Sequence, residues 1–330
     1  MSPVQHLPVA VVIPAYNAER FLDEAVGSAL AQTAPPSEVI VVDDGSTDRT
    51  VEVARRHRVI VLTQRNIGPS EARNAGIRHT AQPWIALLDA DDVWSPDKLE
   101  TQWQAIQTSP DVGAVFSDFI EFDAAGSGGT PYFSLKPHYW AVKRTEVAPG
   151  VMLCDRESLA RQVLQGNFFA PSTLVVRRSL LLQVGLFDPG VWGREDIDCF
   201  LRLLTVCAMA VVERPLMRSR LHLANLTQDH YRMALAGITL AQRVIQNPTR
   251  YPTGAVEKYR QQWPVWELNA GRFAEERGDL GSARRHYLAS WRLGGGLTAL
   301  GSAILSWFPA HVRRAARTLR HRLLPAGGRT

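Results

Sequence analysis

The sequence predicts a mostly parallel, doubly wound α/β sheet covered by helices on both faces, followed by an α-helical C-terminal extension. Three observations carry this expectation. Short apolar runs alternate with amphipathic segments over roughly the first third of the chain. The runs are near-continuous in Val, Ile and Leu, as strands buried on both faces require. After Asn225 the pattern is helical to the end.

The elements follow in order. Val9 to Ile13 is a buried strand ending at Pro14. Asn17 is placed to cap a helix from about Glu19 to Gln32, stopped by Pro35-Pro36. Glu38 to Val42 is the second strand and ends in Asp43-Asp44-Gly45-Ser46; a helix from Thr47 to His57 and a third strand, Val59 to Thr63, follow. Ser70 to His79 is helical, and Trp84 to Leu88 is a fourth strand ending in Asp89-Ala90-Asp91-Asp92. Pro96 opens a helix to about Thr108, and Val112 to Phe116 is the fifth strand. Ala124 to Gly150, rich in Gly, Pro and aromatics, reads as a long functional loop. Ser172 to Val176, Ala210 to Val212 and Arg218 to His222 read as strands, and Arg194 to Val206 as a helix. Asn269 to Leu293 resembles a tetratricopeptide-like helix pair turning at Arg277-Gly-Asp. The expected division is 1–228, with halves of about 1–123 and 124–228, and a basic helical region at 229–330.

Composition narrows the function classes. With 330 residues, 45% of them hydrophobic, the chain can bury a sizeable core. Three cysteines without CxxC spacing argue against a disulfide framework or zinc knuckle, and for a reducing compartment. Met1 to Pro8 shows no secretory signal, and no window supplies the ~18 apolar residues of a membrane span. The expected location is cytoplasmic, peripheral on the inner face of the cytoplasmic membrane. Residues 231–330 hold 16 Lys and Arg against 5 Asp and Glu, a net +11, whereas residues 1–230 carry a net −6. No reader motif accompanies the basic charge, so nucleic acid is not an expected partner.

In doubly wound sheets ligands bind beyond the carboxyl ends of the strands, where both acidic clusters fall. Asp89 and Asp91 would repel each other unless a cation lay between them, and hard oxygen ligands favour Mg²⁺ or Mn²⁺. The same residues also fit a solvated turn before a helix capped by Ser95. Asp44 either caps the helix after the second strand or accepts a hydrogen bond from a base N–H, which selects uracil or thymine. Arg73 either pairs with a diphosphate or with Asp89, or lies on the surface. Glu195-Asp196 either compensates a helix dipole or supplies a catalytic carboxylate.

Pro14-Ala-Tyr16-Asn17, Val41-Val-Asp43-Asp44-Gly-Ser46, Asn66-Ile-Gly-Pro-Ser-Glu-Ala-Arg73-Asn-Ala-Gly76 and Leu87-Leu-Asp89-Ala-Asp91-Asp92 together resemble the inverting glycosyltransferase family two, of the GT-A fold and bacterial surface-polysaccharide type. The likeness covers about residues 7–228. It implies a Rossmann-like sheet and a base-binding role for Asp44. It implies metal binding by Asp89 and Asp91, and a role for His222, in the segment Arg220-Leu-His222-Leu-Ala-Asn225-Leu-Thr227, in holding the diphosphate or the metal. Pro14, Tyr16, Asn17, Asp43, Asn66, Arg73 and Arg202 join the expected nucleotide-sugar contacts. Glu195 and Asp196 match the motif that supplies the catalytic base, and Trp192 and Gly193 would line the acceptor pocket. Gly185-Leu186-Phe-Asp188 departs from the usual Gly-Gly-Phe-Asp, which bears on local backbone freedom.

The implied reaction is metal-dependent inverting transfer of a sugar from a nucleoside-diphosphate sugar, UDP favoured over TDP, to a hydroxyl of a glycan or lipid-linked acceptor. A dinucleotide dehydrogenase would show GxGxxG after the first strand, and a nucleotidyltransferase a Gly-rich basic loop there; both are missing. The rival from another class is a non-catalytic nucleotide-sugar-binding or adaptor protein acting through the C-terminal helices, which would need none of Asp89, Asp91 and Asp196. Residues 311–330 hold six arginines and no acid, with Val312, Ala315, Ala316, Leu319, Leu323 and Leu324 able to share a helical face. The region is therefore expected to meet an anionic membrane surface.

Overall fold

The computed structural model describes every residue except 1–5, 124, 125, 127, 223–228, 310, 311 and 313–330. The chain divides into two compact units: residues 1–225 with 247–255, and residues 226–246 with 256–330.

The first unit is built on an eleven-stranded mixed sheet. Its strands are β1 (Leu7–Ala15), β2 (Pro36–Asp43), β3 (Ile60–Thr63), β4 (Trp84–Leu87), β5 (Val93–Trp94), β6 (Val112–Phe122), β7 (Gly128–Pro131), β8 (Arg144–Ala148), β9 (Val151–Cys154), β10 (Val175–Arg177) and β11 (Ala208–Arg220). The order is β3-β2-β1-β4-β10-β6-β11-β9-β8, with β5 on β11 and β7 on β6. β1 runs parallel to β2 and β4. β10 is antiparallel to both β4 and β6, so β6 and its parallel neighbour β11 keep the common direction. Val9 to Ile13 of β1 are fully buried, as the unbroken apolar run requires.

Helices α1 (Leu22–Leu30), α2 (Thr50–Ala54), α3 (Pro69–His79) and α4 (Lys98–Gln107) connect the early strands. Gly76 of α3 lies so close to β1 that an added Cβ would stand 2.5 Å from Val12 Cγ1. α5 (Pro137–Trp140), α6 (Arg156–Gln165), α7 (Arg178–Val184) and α8 (Glu195–Leu203) belong to the later half. Cys154, Cys199 and Cys207 are buried and form no disulfide.

Several expectations need correction. Asn17 does not cap α1. It adopts φ 49°, a left-handed conformation Asn tolerates, and its Oδ1 accepts from Thr47 N at 2.9 Å. The helix after β2 spans only Thr50–Ala54, because Asp48 and Asn17 hold the preceding residues in a turn. The stretch Ala124 to Gly150 is not a plain loop. Its described residues include β7, α5 and β8, and Phe133 and Tyr139 are buried against Phe168. The expected strands around 210 and 220 are one strand, β11, irregular where Pro215 interrupts the ladder. Leu186 keeps φ 61° despite its side chain, next to Gly185 at φ 89°. The unusual residue is thus accommodated at a cost of ~1–2 kcal/mol.

The second unit contains α9 (His230–Gln246), α10 (Ala255–Glu276), α11 (Leu280–Arg292) and α12 (Gly296–Leu305), apart from Ala255, which belongs to the first. Asp279 caps α11 by accepting from Ser282 N at 2.9 Å. Tyr287 of α11 packs on Gly271 of α10, whose missing side chain makes room for the ring. No described helix is long and apolar enough to cross a membrane. Asn225 and Thr227, and all of the basic C-terminal stretch after residue 309 except Val312, lie outside the described residues.

Candidate active site

The carboxyl ends of β2, β1 and β4 lie side by side and carry the acidic clusters. Asp44, just past β2, is almost fully buried. Its carboxylate accepts from Gln64 Nε2 at 2.8 Å, Ile67 N at 3.0 Å and Gly68 N at 2.7 Å. Asp44 therefore pins the loop that leads into α3, and of the ~four acceptor positions on a carboxylate one stays available. Gln64 carried no motif signal. Gly45 faces the same loop at φ 76°, and a Cβ there would stand 2.9 Å from Asn66 N. Asp43 is buried, with Ser46 N at 3.3 Å from Oδ1. Pro14 is half-buried, and Tyr16 and Asn66 are exposed at this edge.

Beyond β4, Asp89 and Asp91 take separate partners. Arg73 Nη2 donates to Asp89 Oδ1 at 2.7 Å, and His222 Nε2 lies 2.9 Å from Asp91 Oδ2. The His222 ring stacks on Phe21, with centroids 4.8 Å apart. Burial and then Asp89 push the Asp91 carboxyl up, partly offset by His222. Asp92 is pushed well up by burial, then by Asp91 and Asp89. It accepts from Ser172 Oγ at 2.6 Å and Arg220 N at 3.2 Å, while Ser172 Oγ also accepts from Asp89 N at 2.9 Å. Ser172 thus fixes the acidic turn. The sequence shows it only as a strand residue, since its partners lie about 80 positions away. Arg220, seen only as part of a closing segment, donates Nε to Asp91 O at 3.2 Å and pairs with Glu24.

Arg73, on α3, also donates Nη1 to Glu195 Oε1 at 2.9 Å. Burial works against its charge, but Asp89 and Glu195 outweigh burial and hold its pKa raised. Of the partners expected for Arg73, Asp89 is in place, and Glu195 is a further one that the sequence did not indicate. Glu195 makes no capping bond at the start of α8. It is buried and bound to Arg73, which leaves the half-buried Asp196 as the carboxylate next to it. Burial, and then Glu195, push the Asp196 carboxyl up to about 7. Trp192 lies against Gly68, where an added Cβ would be 3.7 Å from Cδ1, and Gly193 takes φ 79°.

Arg202 needs correction. Expected at the nucleotide sugar, it is fully buried on α8, with its Nε and Nη2 on Asp198 and Nη1 on Val184 O at 2.6 Å. Tyr251 completes this group by donating to Asp198 Oδ1 at 2.6 Å. Arg202 therefore anchors the helix that carries Glu195 and Asp196. Asn74 has a similar task. Its amide donates to Phe187 O and its carbonyl accepts from Phe187 N, tying α3 to the segment before α8.

A mostly parallel sheet that gathers paired carboxylates at its strand tips, with an arginine joining them to a carboxylate pair on a later helix, fits the GT-A fold that the motif resemblance implies. Residues 10–162 match the family described as Glycosyl transferase family 2. A glycosyltransferase of Nostoc sp. is 30% identical over 265 residues, covering 73% of this chain and 75% of that protein. The putative teichuronic acid biosynthesis glycosyltransferase TuaG of Bacillus subtilis is 31% identical, covering 52% of this chain and 71% of TuaG. A match of 26% identity to a glycosyltransferase of Rickettsia prowazekii spans 66% of this chain and 65% of that protein. The chain belongs to glycosyl transferase family 2. Among solved structures, S. aureus TarS 1-349 in complex with UDP-GlcNAc superposes with TM-score 0.60 at 15% identity, over 94% of this chain and 92% of that 1-349 chain. The mannosyltransferase PcManGT of Pyrobaculum calidifontis, in complex with GDP-Man and Mn²⁺, does so with TM-score 0.56 at 19% identity, over 97% and 86%. These likenesses are of fold.

Proposed function

We propose that the chain transfers a sugar, with inversion, from a UDP-sugar or TDP-sugar to a hydroxyl of a glycan or lipid-linked acceptor in surface-polysaccharide synthesis. The observation that carries the reading is the separation of roles at the strand tips. Arg73 occupies Glu195 and one oxygen of Asp89, while Asp196 forms no ion pair among the described residues, and burial and Glu195 push its carboxyl up to about 7. UDP is favoured because one acceptor position of Asp44 remains for a base N–H, and because TarS was solved with UDP-GlcNAc. The acceptor class is supported by the name of TuaG.

Among the described residues no group of three or more His, Cys, Asp or Glu side chains is arranged as a metal-ligand set. The donor chemistry nevertheless fits a hard dication. Asp89 and Asp91 each keep a second carboxylate oxygen, and Asp91 carries the penalty of burial beside a like charge, which a cation would relieve. Asp89 and Asp91, with His222, would hold Mn²⁺ or Mg²⁺. When bound, the ion would neutralise charge developing on the leaving diphosphate. The Arg73 guanidinium holds Glu195 and Asp89 in register, and Asp196 takes the proton of the attacking hydroxyl. Trp192 shields the acceptor side.

The test is thermal stabilisation by UDP with and without Mn²⁺, in the wild type and in Asp91→Ala. Mn²⁺ is expected to strengthen UDP binding in the wild type only. Equal metal enhancement in Asp91→Ala overturns the metal assignment, and no stabilisation by UDP, TDP or their sugars overturns the donor assignment.

A further inference from the structure

The helices α11 and α12 present an apolar surface that the transfer chemistry does not use. Leu297 is 84% exposed, Trp307 72%, Ile304 54%, Phe308 46% and Trp291 44%. Leu297, Leu300, Ile304 and Phe308 follow helical spacing, so they form a stripe along one side of α12 and its continuation. The stripe borders a groove of about 300 Å³ lined by Leu288, Leu300, Ile304, Trp307 and Phe308. α12 itself contains no charged residue. Isolated exposed apolar residues need no explanation, but a contiguous aromatic and aliphatic patch marks an interaction surface.

The charge of this part of the sequence points to the partner. From Leu280 to the last residue the sequence holds nine arginines, no lysine and no Asp or Glu. Arg284 lies 3.9 Å above the Trp307 ring at the edge of the groove. Six of the nine arginines lie between positions 313 and 329 of the sequence. Exposed Trp, Phe, Leu and Ile with Arg284 at their edge, in a sequence segment that holds no acid, are complementary to the boundary between anionic headgroups and acyl chains. α12 has 10 residues, far below the ~20 of a spanning helix, so it can lie in the interface but not cross it.

We infer that the α11–α12 face, centred on Leu297, Ile304, Trp307 and Phe308, docks in plane on an anionic lipid bilayer. This inference is independent of the proposed reaction, and its test needs neither donor nor acceptor. The full chain is mixed with phosphatidylcholine vesicles, with or without phosphatidylglycerol, and sedimented. The variants are Leu297→Asp and Leu297→Asp with Trp307→Asp. Leu297 is almost wholly exposed, so its replacement removes little packing, and an unchanged melting temperature verifies the fold.

The wild type is expected to sediment with anionic vesicles and to release with rising salt. The double variant is expected to partition at least tenfold less, and Leu297→Asp to fall between. The inference is overturned if the wild type stays in the supernatant with both vesicle types. It is equally overturned if the double variant sediments as the wild type does, because the arginine-rich end alone would then account for binding. Loss of a vesicle-free dimer in Leu297→Asp would also overturn it, by showing that a second copy covers the patch.

Discussion

Arg73 and Glu195 form a buried ion pair across 122 positions of sequence, with Nη1 and Oε1 2.9 Å apart. The same guanidinium reaches Asp89 at 2.7 Å. A side chain of α3 thereby joins the acidic turn after β4 to the start of α8. The pair is not fully satisfied: Arg73 Nε and Glu195 Oε2 have no hydrogen-bond partner among the described residues. Such a pair is costly to break from one side, because the remaining charge stays buried.

Arg73→Met is expected to destabilise the protein by ~3–5 kcal/mol, since it leaves Glu195 uncompensated. Adding Glu195→Met should restore most of that loss. Urea unfolding of the two variants decides it. A loss below about 1 kcal/mol in Arg73→Met would show that the pair contributes little.

Asp196→Asn keeps the shape of the side chain and removes the proton acceptor. Turnover is expected to fall by roughly 10²–10⁴, with UDP affinity largely retained. In the wild type, kcat should rise with pH through about 7 as Asp196 loses its proton, and the residual activity of the variant should lack that step. Near-normal turnover would place the base elsewhere.

The same carboxyl makes a stability prediction. Its folded pKa of about 7 lies above the ordinary 3.8, so between these values the folded state binds more protons than the unfolded one. Its contribution to stability therefore falls as pH rises from about 4 to about 7. Asp196→Asn removes this slope. The variant should match the wild type near pH 4 and exceed it above pH 7, by on the order of 4 kcal/mol. Asp91 and Asp92 are also raised, but they are common to both proteins and cancel in the difference. Denaturant titrations at pH 5 and pH 8 measure it; equal gaps at both values contradict the assignment.

Gly45→Ala forces a Cβ onto a residue at φ 76° and to within 2.9 Å of Asn66 N. A loss of about 1–3 kcal/mol and weaker UDP binding are expected, because the displaced loop is the one Asp44 holds. Gly27→Ala in α1 is the control. Nothing lies within 4 Å of its added Cβ, so it should gain about 0.5–1 kcal/mol. Melting curves of the two proteins should move in opposite directions.

The alternation of apolar runs and amphipathic segments was enough to specify the early sheet. The reason is local: a strand buried on both faces must be apolar at every position, and Val9 to Ile13 and Trp84 to Leu88 show it without context. The motifs likewise placed Asp44, Asp89, Asp91 and Asp196 at strand or helix ends, because chain direction alone puts those ends on one side of a parallel sheet. Partnership was another matter. That Arg73 takes Glu195 as well as Asp89, that Ser172 fixes the acidic turn, and that Arg202 turns inward to Asp198 depend on residues about 80 to 120 positions apart or on which face of α8 is buried. The aromatic run near 132–140 read as a loop for the same cause. Phe133 and Tyr139 have no periodicity of their own; they stack on each other and are buried against Phe168, and Phe133 against Phe116, rings that other parts of the chain deliver. A hydrophobic period records what the backbone demands of each residue, whereas a buried charge or ring is settled by whatever the finished fold brings within a few ångströms of it.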